Sequence, residues 1–164
     1  MIEIIEMEPR HWNEVARIYA EGIATGKATL ETRVPAWEEW DRAHAGHCRL
    51  LAVDGDSMLG WAALTPVSGR CVYAGVAEVS VYVAESARGK GVGKALLYAL
   101  ISESEKHDYW TLQASVFAEN PVSIHLHQQS GFRIIGTRER ISKLNGTWRD
   151  TVMLERRSKI IGTS

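Results

Sequence analysis

The stretch "VYVAESARGKGVGKALLYAL" (Val81–Leu100) decides how this chain is read. A β-prone run ends at Val83, and Arg88-Gly89-Lys90-Gly91-Val92-Gly93-Lys94 follows it. A helical pattern then begins, with Val92, Ala95, Leu96, Ala99 and Leu100 on one face. A turn between a strand and a helix presents several backbone N–H groups at the helix N-terminus, where the helix dipole favours an anion. Gly89, Gly91 and Gly93 let that backbone adopt left-handed angles and approach a ligand with no Cβ between them. Arg88, Lys90 and Lys94 add positive charge. The turn predicts a phosphate or pyrophosphate site; the alternative is an ordinary left-handed turn in a charged loop. Two nucleotide patterns fail here. The P-loop needs four residues between its glycines and a Ser or Thr after its lysine, but Ala95 follows Lys94. The spacing is not G-x-G-x-x-G either, and the turn follows a β-meander rather than an opening strand.

Outward from this turn, Glu3–Glu6 reads as a strand and Pro9–Gly22 as a helix, with Trp12, Val15, Ala16, Ile18 and Tyr19 at helical spacing. Gly22–Thr32 reads as a loop of small residues and Pro35–Ala45 as a short helix. Arg49–Asp54 and Met58–Pro66 form a hairpin about Asp54-Gly55-Asp56. Val76–Val83 is a strand, Gly91–His107 a helix and Trp110–Phe117 a strand. Asn120–Ser130 is a helix capped by Asn120, with Pro121 in its first position and Gly131 at its end. Phe132–Arg138 and Trp148–Arg157 close the chain as two strands about Asn145-Gly146. A β-meander followed by β-α-β-α-β predicts an α/β (α+β) fold, with one sheet and helices on both sides.

Length, 164 residues, suits one domain spanning 1–164. Nineteen basic against twenty acidic residues argue against a broad nucleic-acid-binding face. The first residues alternate like a strand and lack the cationic start and apolar centre of a signal peptide. No apolar run is long enough to cross a bilayer. Cys48 and Cys71 have no metal-ligand spacing and read as reduced, packed thiols. These features point to a cytoplasmic protein.

Arg88-Gly89-Lys90-Gly91-Val92-Gly93 resembles the acetyl-CoA pyrophosphate loop of the GNAT N-acetyltransferases (R/Q-x-x-G-x-G/A). Downstream, "NPVSIHLHQQSGF" (Asn120–Phe132) resembles the N-x-x-S-x-x-L-[YH]-x-x-x-G-F segment of that fold. The two motifs stand in the expected order with a strand between them. "GRCVYAGVAEVSVYV" (Gly69–Val83) and "NGTWRDTVMLER" (Asn145–Arg156) resemble the phosphinothricin and methionine sulfoximine/sulfone acetyltransferase branch. The resemblance covers nearly the whole chain and implies a mixed, mostly antiparallel sheet of about seven strands.

It also implies acetyl-CoA as cosubstrate, held by the Arg88–Lys94 turn, by the backbone of Val81, Tyr82 and Val83, and by Asn120 and Ser123. A splayed or bulged strand end would leave a backbone N–H for the thioester carbonyl. Glu78 interrupts an apolar run where the branch has a glutamate, which implies a general base for the acceptor amine. By pattern alone it would sit on a polar strand face with Ser80 and Tyr82. His127 falls near one helical face with Asn120 and Ser123, at a position where many GNAT members use a tyrosine acid; base, acid and packed polar residue all remain open for it. His125 and His127 point to roughly opposite sides, which disfavours a metal clamp, so no metal is expected. Arg70 and Tyr73 resemble acceptor-side residues, and Arg70 suits a carboxylate. Thr29 and Leu30 match a substrate-side loop, with Leu30 where the branch has an aromatic residue. The remaining tryptophans read as core or interface.

The expected acceptor is a small amino-acid-like amine. A peptide N-terminus or polyamine is the second enzymatic reading, and a non-catalytic acyl-CoA-binding sensor is the third. The branch also implies a homodimer in which the Asn145–Asp150 region, with Trp148 as apolar anchor, lies near the partner's acceptor pocket.

Overall fold

The computed structural model describes residues 1–164. Its strands are β1 (Glu3–Glu6), β2 (Leu50–Asp54), β3 (Ser57–Pro66), β4 (Val76–Val83), β5 (Thr111–Phe117), β6 (Arg133–Leu144) and β7 (Thr147–Arg157). They form one seven-stranded sheet in the order β1-β2-β3-β4-β5-β7-β6. Every neighbouring pair is antiparallel except β4 and β5. The helices are α1 (Trp12–Ala24), α2 (Trp37–Ala43), α3 (Val92–Lys106) and α4 (Pro121–Gln129).

Two adjacent residues of β4 identify the two faces of the sheet, because successive strand side chains point oppositely. The Tyr82 ring packs on Tyr19 of α1, with centroids 4.9 Å apart, and stacks on Trp61 at 4.7 Å. Val83 lies instead against Gly93 at the start of α3, where Leu126 of α4 also packs. One apolar core joins both layers and includes Val15, Ile18, Trp40, Trp61, Leu96 and Leu100. Trp40 and Trp61 are core residues, as expected, whereas Trp148 is exposed.

Several boundaries differ from the sequence reading. Pro9–His11 is a separate 3₁₀ turn, closed by the His11 N–H on the Glu8 carbonyl and by Glu8 N–H donating to His11 Nδ1. The helix proper starts at Trp12 and runs to Ala24, so Gly22 is an interior residue packed near Tyr82. The largest difference is β6, expected to stop at Arg138. It continues to Leu144 through a register shift between Arg138 and Ser142, and the ladder resumes at Ser142–Arg149, Lys143–Trp148 and Leu144–Thr147. Asn145 and Gly146, at φ 50° and 81°, make the two-residue turn. Cys48 is buried, and burial pushes its thiol up to about 12. Cys71 is exposed in a 3₁₀ turn, contrary to the packed thiol expected, because that turn lies on the surface before β4.

Candidate active site

Strands β4 and β5 pair over three positions only: Val76–Thr111, Ala77–Leu112 and Glu78–Gln113. Beyond Glu78 they part, and a cleft of about 440 Å³ opens between them. On its other edge β4 stays paired with β3 without interruption from Ala77 to Val83, so the opening is a splay and not a bulge in β4. Backbone groups alternate sides along a strand. Ala84 N–H donates to Leu59 and Val76 accepts from Val67, so even-numbered residues spend their backbone groups on β3. The odd-numbered Val81 and Val83 therefore turn theirs into the gap, past the last β5 partner. Tyr82 does not share this role: its carbonyl faces Gly60 of β3, and its side chain forms part of the cleft wall. Burial raises the Tyr82 pKa strongly and keeps it a neutral phenol.

Glu78 sits at the point of divergence and lines the cleft. Ser115 Oγ donates to its Oε1 at 2.9 Å and Gln113 Nε2 at 3.1 Å. Both bonds fall on Oε1, and Oε2 has no hydrogen-bond partner within the chain. Ser80 and Tyr82 line the same cleft, so the polar strand face expected from parity and the cleft wall are the same surface.

His127 is buried in the wall, with Phe132 edge-on at 5.2 Å. Its Nδ1 lies 2.7 Å from the Ser123 carbonyl, which can only accept, so Nδ1 carries the proton. Burial lowers the pKa of the ring and favours its neutral form. Nε2 then holds a lone pair and is an acceptor. His125, two residues away, is exposed. Asn120 caps α4: its Oδ1 accepts from Ser123 N–H at 3.2 Å, and its Nδ2 donates to the Lys27 carbonyl at 3.4 Å. Asn120 and Ser123 both line the cleft, as do Thr29 and Leu30 from the loop after α1. Leu30 is half-exposed at the rim.

The glycine turn lies at the N-terminus of α3. Gly89 and Gly91 have φ of 76° and 82°, and Gly91 is the cap residue with no side-chain acceptor on the first helical N–H groups. Arg88, Lys90 and Lys94 have no acidic partner, and Lys94 lies over the Tyr98 ring at 5.5 Å. Val92 is buried, so only its backbone can face a ligand. Free N–H donors, two left-handed glycines and unpaired cations together fit a pyrophosphate.

Arg70 and Tyr73 are not brought to this cleft. Both are exposed in and beside the Cys71–Tyr73 turn, and the Arg70 guanidinium lies 5.8 Å from the Tyr73 ring. Conversely, sequence reading missed Lys27, Gln113, Ser115, Arg138 and Ser142. Gln113 and Ser115 were legible as the polar alternates of an apolar strand. Arg138 and Ser142 were not, because the pairing of β6 with β7 that places them is long-range.

Residues 11–132 match the model of the Acetyltransferase (GNAT) family. The phosphinothricin N-acetyltransferase of Alcaligenes faecalis is 35% identical over 149 residues, which cover 87% of this chain and 75% of that protein. The L-methionine sulfoximine/L-methionine sulfone acetyltransferase of Pseudomonas aeruginosa is 34% identical over 124 residues, 73% of this chain and 70% of that protein. Among solved structures, a GNAT superfamily phosphinothricin acetyltransferase from Sinorhizobium meliloti, in complex with acetyl-CoA, superposes with a TM-score of 0.90 at 26% identity, covering 99% of this chain and 91% of that one.

Proposed function

The chain belongs to the acetyltransferase (GNAT) family, and we propose that it transfers acetyl from acetyl-CoA to the α-amine of a small amino-acid-like acceptor. The observation that carries this reading is the cleft between β4 and β5, with a half-free carboxylate, Glu78, at its apex. The Gly89–Gly91 turn takes the pyrophosphate, aided by Arg88, Lys90 and Lys94. Pantetheine lies along β4 as an added strand, using the free backbone groups of Val81 and Val83, beside Asn120 and Ser123. A cleft-facing N–H of β4 polarises the thioester carbonyl.

Glu78 Oε2 takes a proton from the acceptor ammonium, directly or through a water. The acceptor arrives largely as its ammonium near neutrality, so a base is needed to free the lone pair, though less strongly than for a lysine amine of pKa about 10.4. The amine lone pair attacks the thioester carbon, and the tetrahedral intermediate collapses with cleavage of the C–S bond. A thiol of pKa about 8.5 is a competent leaving group as thiolate. His127, neutral with its Nε2 lone pair free, suits accepting the second amine proton better than supplying one to sulfur.

The acceptor class is tested by kcat/KM for phosphinothricin, methionine sulfoximine and methionine sulfone beside lysine, spermidine and a short peptide. The amino-acid analogues are expected to lead. A peptide or polyamine ahead by more than about tenfold, or about 1.4 kcal/mol in transition-state stabilisation, removes the amino-acid assignment and leaves an acetyltransferase of other amines. Acetyl-CoA binding without turnover of any amine supports the sensor reading instead.

A homodimer is part of this proposal. Ile134, Ile135 and Ile141 on edge strand β6, together with Trp148 on β7, expose apolar side chains that a second copy would cover. Light scattering at micromolar concentration is expected to give twice the chain mass. A fully active monomer refutes this part alone.

A further inference from the structure

We propose that the register shift in β6 builds an anion-reading wall, in which Arg138 and Ser142 hold the free carboxylate of the acceptor. This deepens the amino-acid reading and rests on it. Arg138 pairs with Thr151 and Ser142 with Arg149, so Glu139, Arg140 and Ile141 face the single residue Asp150. The irregularity is held in place: Arg140 has φ 44°, and its N–H donates to Asp150 Oδ1 at 2.8 Å. Extra residues in one strand re-aim the side chains beside them. Arg138 enters the cleft wall through its regular pair with Thr151, and the two extra residues bring Ile141 and Ser142 into the wall after it, with Ser142 rather than Arg140 opposite Arg149.

A free cation and an unpartnered hydroxyl stand in this wall. Arg138 is exposed at the cleft it lines with Glu78, and its guanidinium has neither a salt bridge nor a side-chain hydrogen bond within the chain, so it is free to meet an anion there. The Ser142 hydroxyl is buried and also lacks a partner, an uncommon state for a native polar group. Lys27 is a second unpaired cation in the wall, and Glu78 is its one carboxylate. With Glu78 directed to the amine, the surplus positive charge selects an acceptor that carries an anion as well as an amine. The same surplus repels a polyamine. A guanidinium with a neighbouring hydroxyl matches the two oxygens of a carboxylate. Within this chain Arg138 thus has the position that the sequence expectation gave to Arg70.

The experiment compares methionine sulfone with its carboxamide, which keeps the amine and sulfone and lacks the carboxylate, in the wild type, R138Q, R138K and S142A. Acetyl-CoA affinity is followed by calorimetry. R138Q is expected to raise KM for methionine sulfone by about 10- to 100-fold, as for loss of a charge-assisted hydrogen bond. It should change kcat/KM for the carboxamide less than about threefold and leave acetyl-CoA affinity unaltered. R138K should recover part of the loss, and S142A should show a smaller effect of the same selectivity. If R138Q handles acid and carboxamide in the wild-type ratio, or loses acetyl-CoA affinity instead, the wall does not read the carboxylate and the inference is overturned while the acetyltransferase reading stands. A wild type that acetylates spermidine and neither sulfone compound overturns the amino-acid reading, and this inference with it.

Discussion

Replacing Glu78 with glutamine is expected to lower turnover at pH 7 by about 10- to 10⁴-fold, the span of general-base contributions. Glutamine preserves the size of the side chain and keeps an oxygen to accept from Ser115 and Gln113, so the apex of the cleft is retained. What disappears is the ability to take a proton. The deficit should therefore shrink as pH rises towards the pKa of the acceptor ammonium, where a growing share of the acceptor arrives already deprotonated. A polar residue that only completes a strand face gives a different result: a small loss at every pH. An unchanged rate and pH profile in E78Q excludes the base.

Gly91→Val should weaken acetyl-CoA binding by at least about tenfold while the protein still folds. A Cβ at Gly91 meets no protein atom within 4 Å, so the substitution does not collide with the core. Its φ of 82° is the difficulty, because a β-branched residue there costs about 1–2 kcal/mol and drives the turn toward other angles. The new side chain also adds bulk at the turn that would cradle the anion. Calorimetric titration of the folded variant is the check. An affinity equal to wild type moves the pyrophosphate site elsewhere.

Much of the fold was legible because its signals are local. The strand-to-helix change at Val83–Val92, the Asn120-Pro121 start of α4 and the Asp54–Asp56 and Asn145–Gly146 turns each depend on a few neighbouring residues. The helix boundary at Pro9–Trp12 was misplaced because a 3₁₀ turn and an α-helical turn have similar patterns over three residues. The extent of β6 was missed because its pairing with β7 is long-range, and no residue from Arg138 to Ser142 signals the two extra positions. The candidate site divides in the same way. Glu78 and the glycine turn stand out as departures from their surroundings, a carboxylate in an apolar strand and a cluster of glycines. Arg138 is one arginine among many until the ladder shows where it points. Arg70 and Tyr73, chosen by resemblance, lie on the surface of this chain outside the cleft.

The short β4–β5 seam has a consequence for the cohesion of the molecule. Three ladder pairs, together with the Trp110 and Thr111 N–H groups on the Gly75 carbonyl, join the backbone of the first four strands to that of the last three, and the β4–β5 ladder goes no further than Glu78. In mechanical terms the sheet is two plates joined by a narrow backbone weld and a shared apolar core, with a slot along the rest of the joint. A ligand that hydrogen-bonds along Val81 and Val83 while touching β5 fills that slot and ties the plates together. Occupancy then adds to the resistance of the whole sheet to unfolding, in proportion to the logarithm of ligand concentration above its dissociation constant. A splay of this kind thus lets an occupant supply rigidity that the β4–β5 ladder does not.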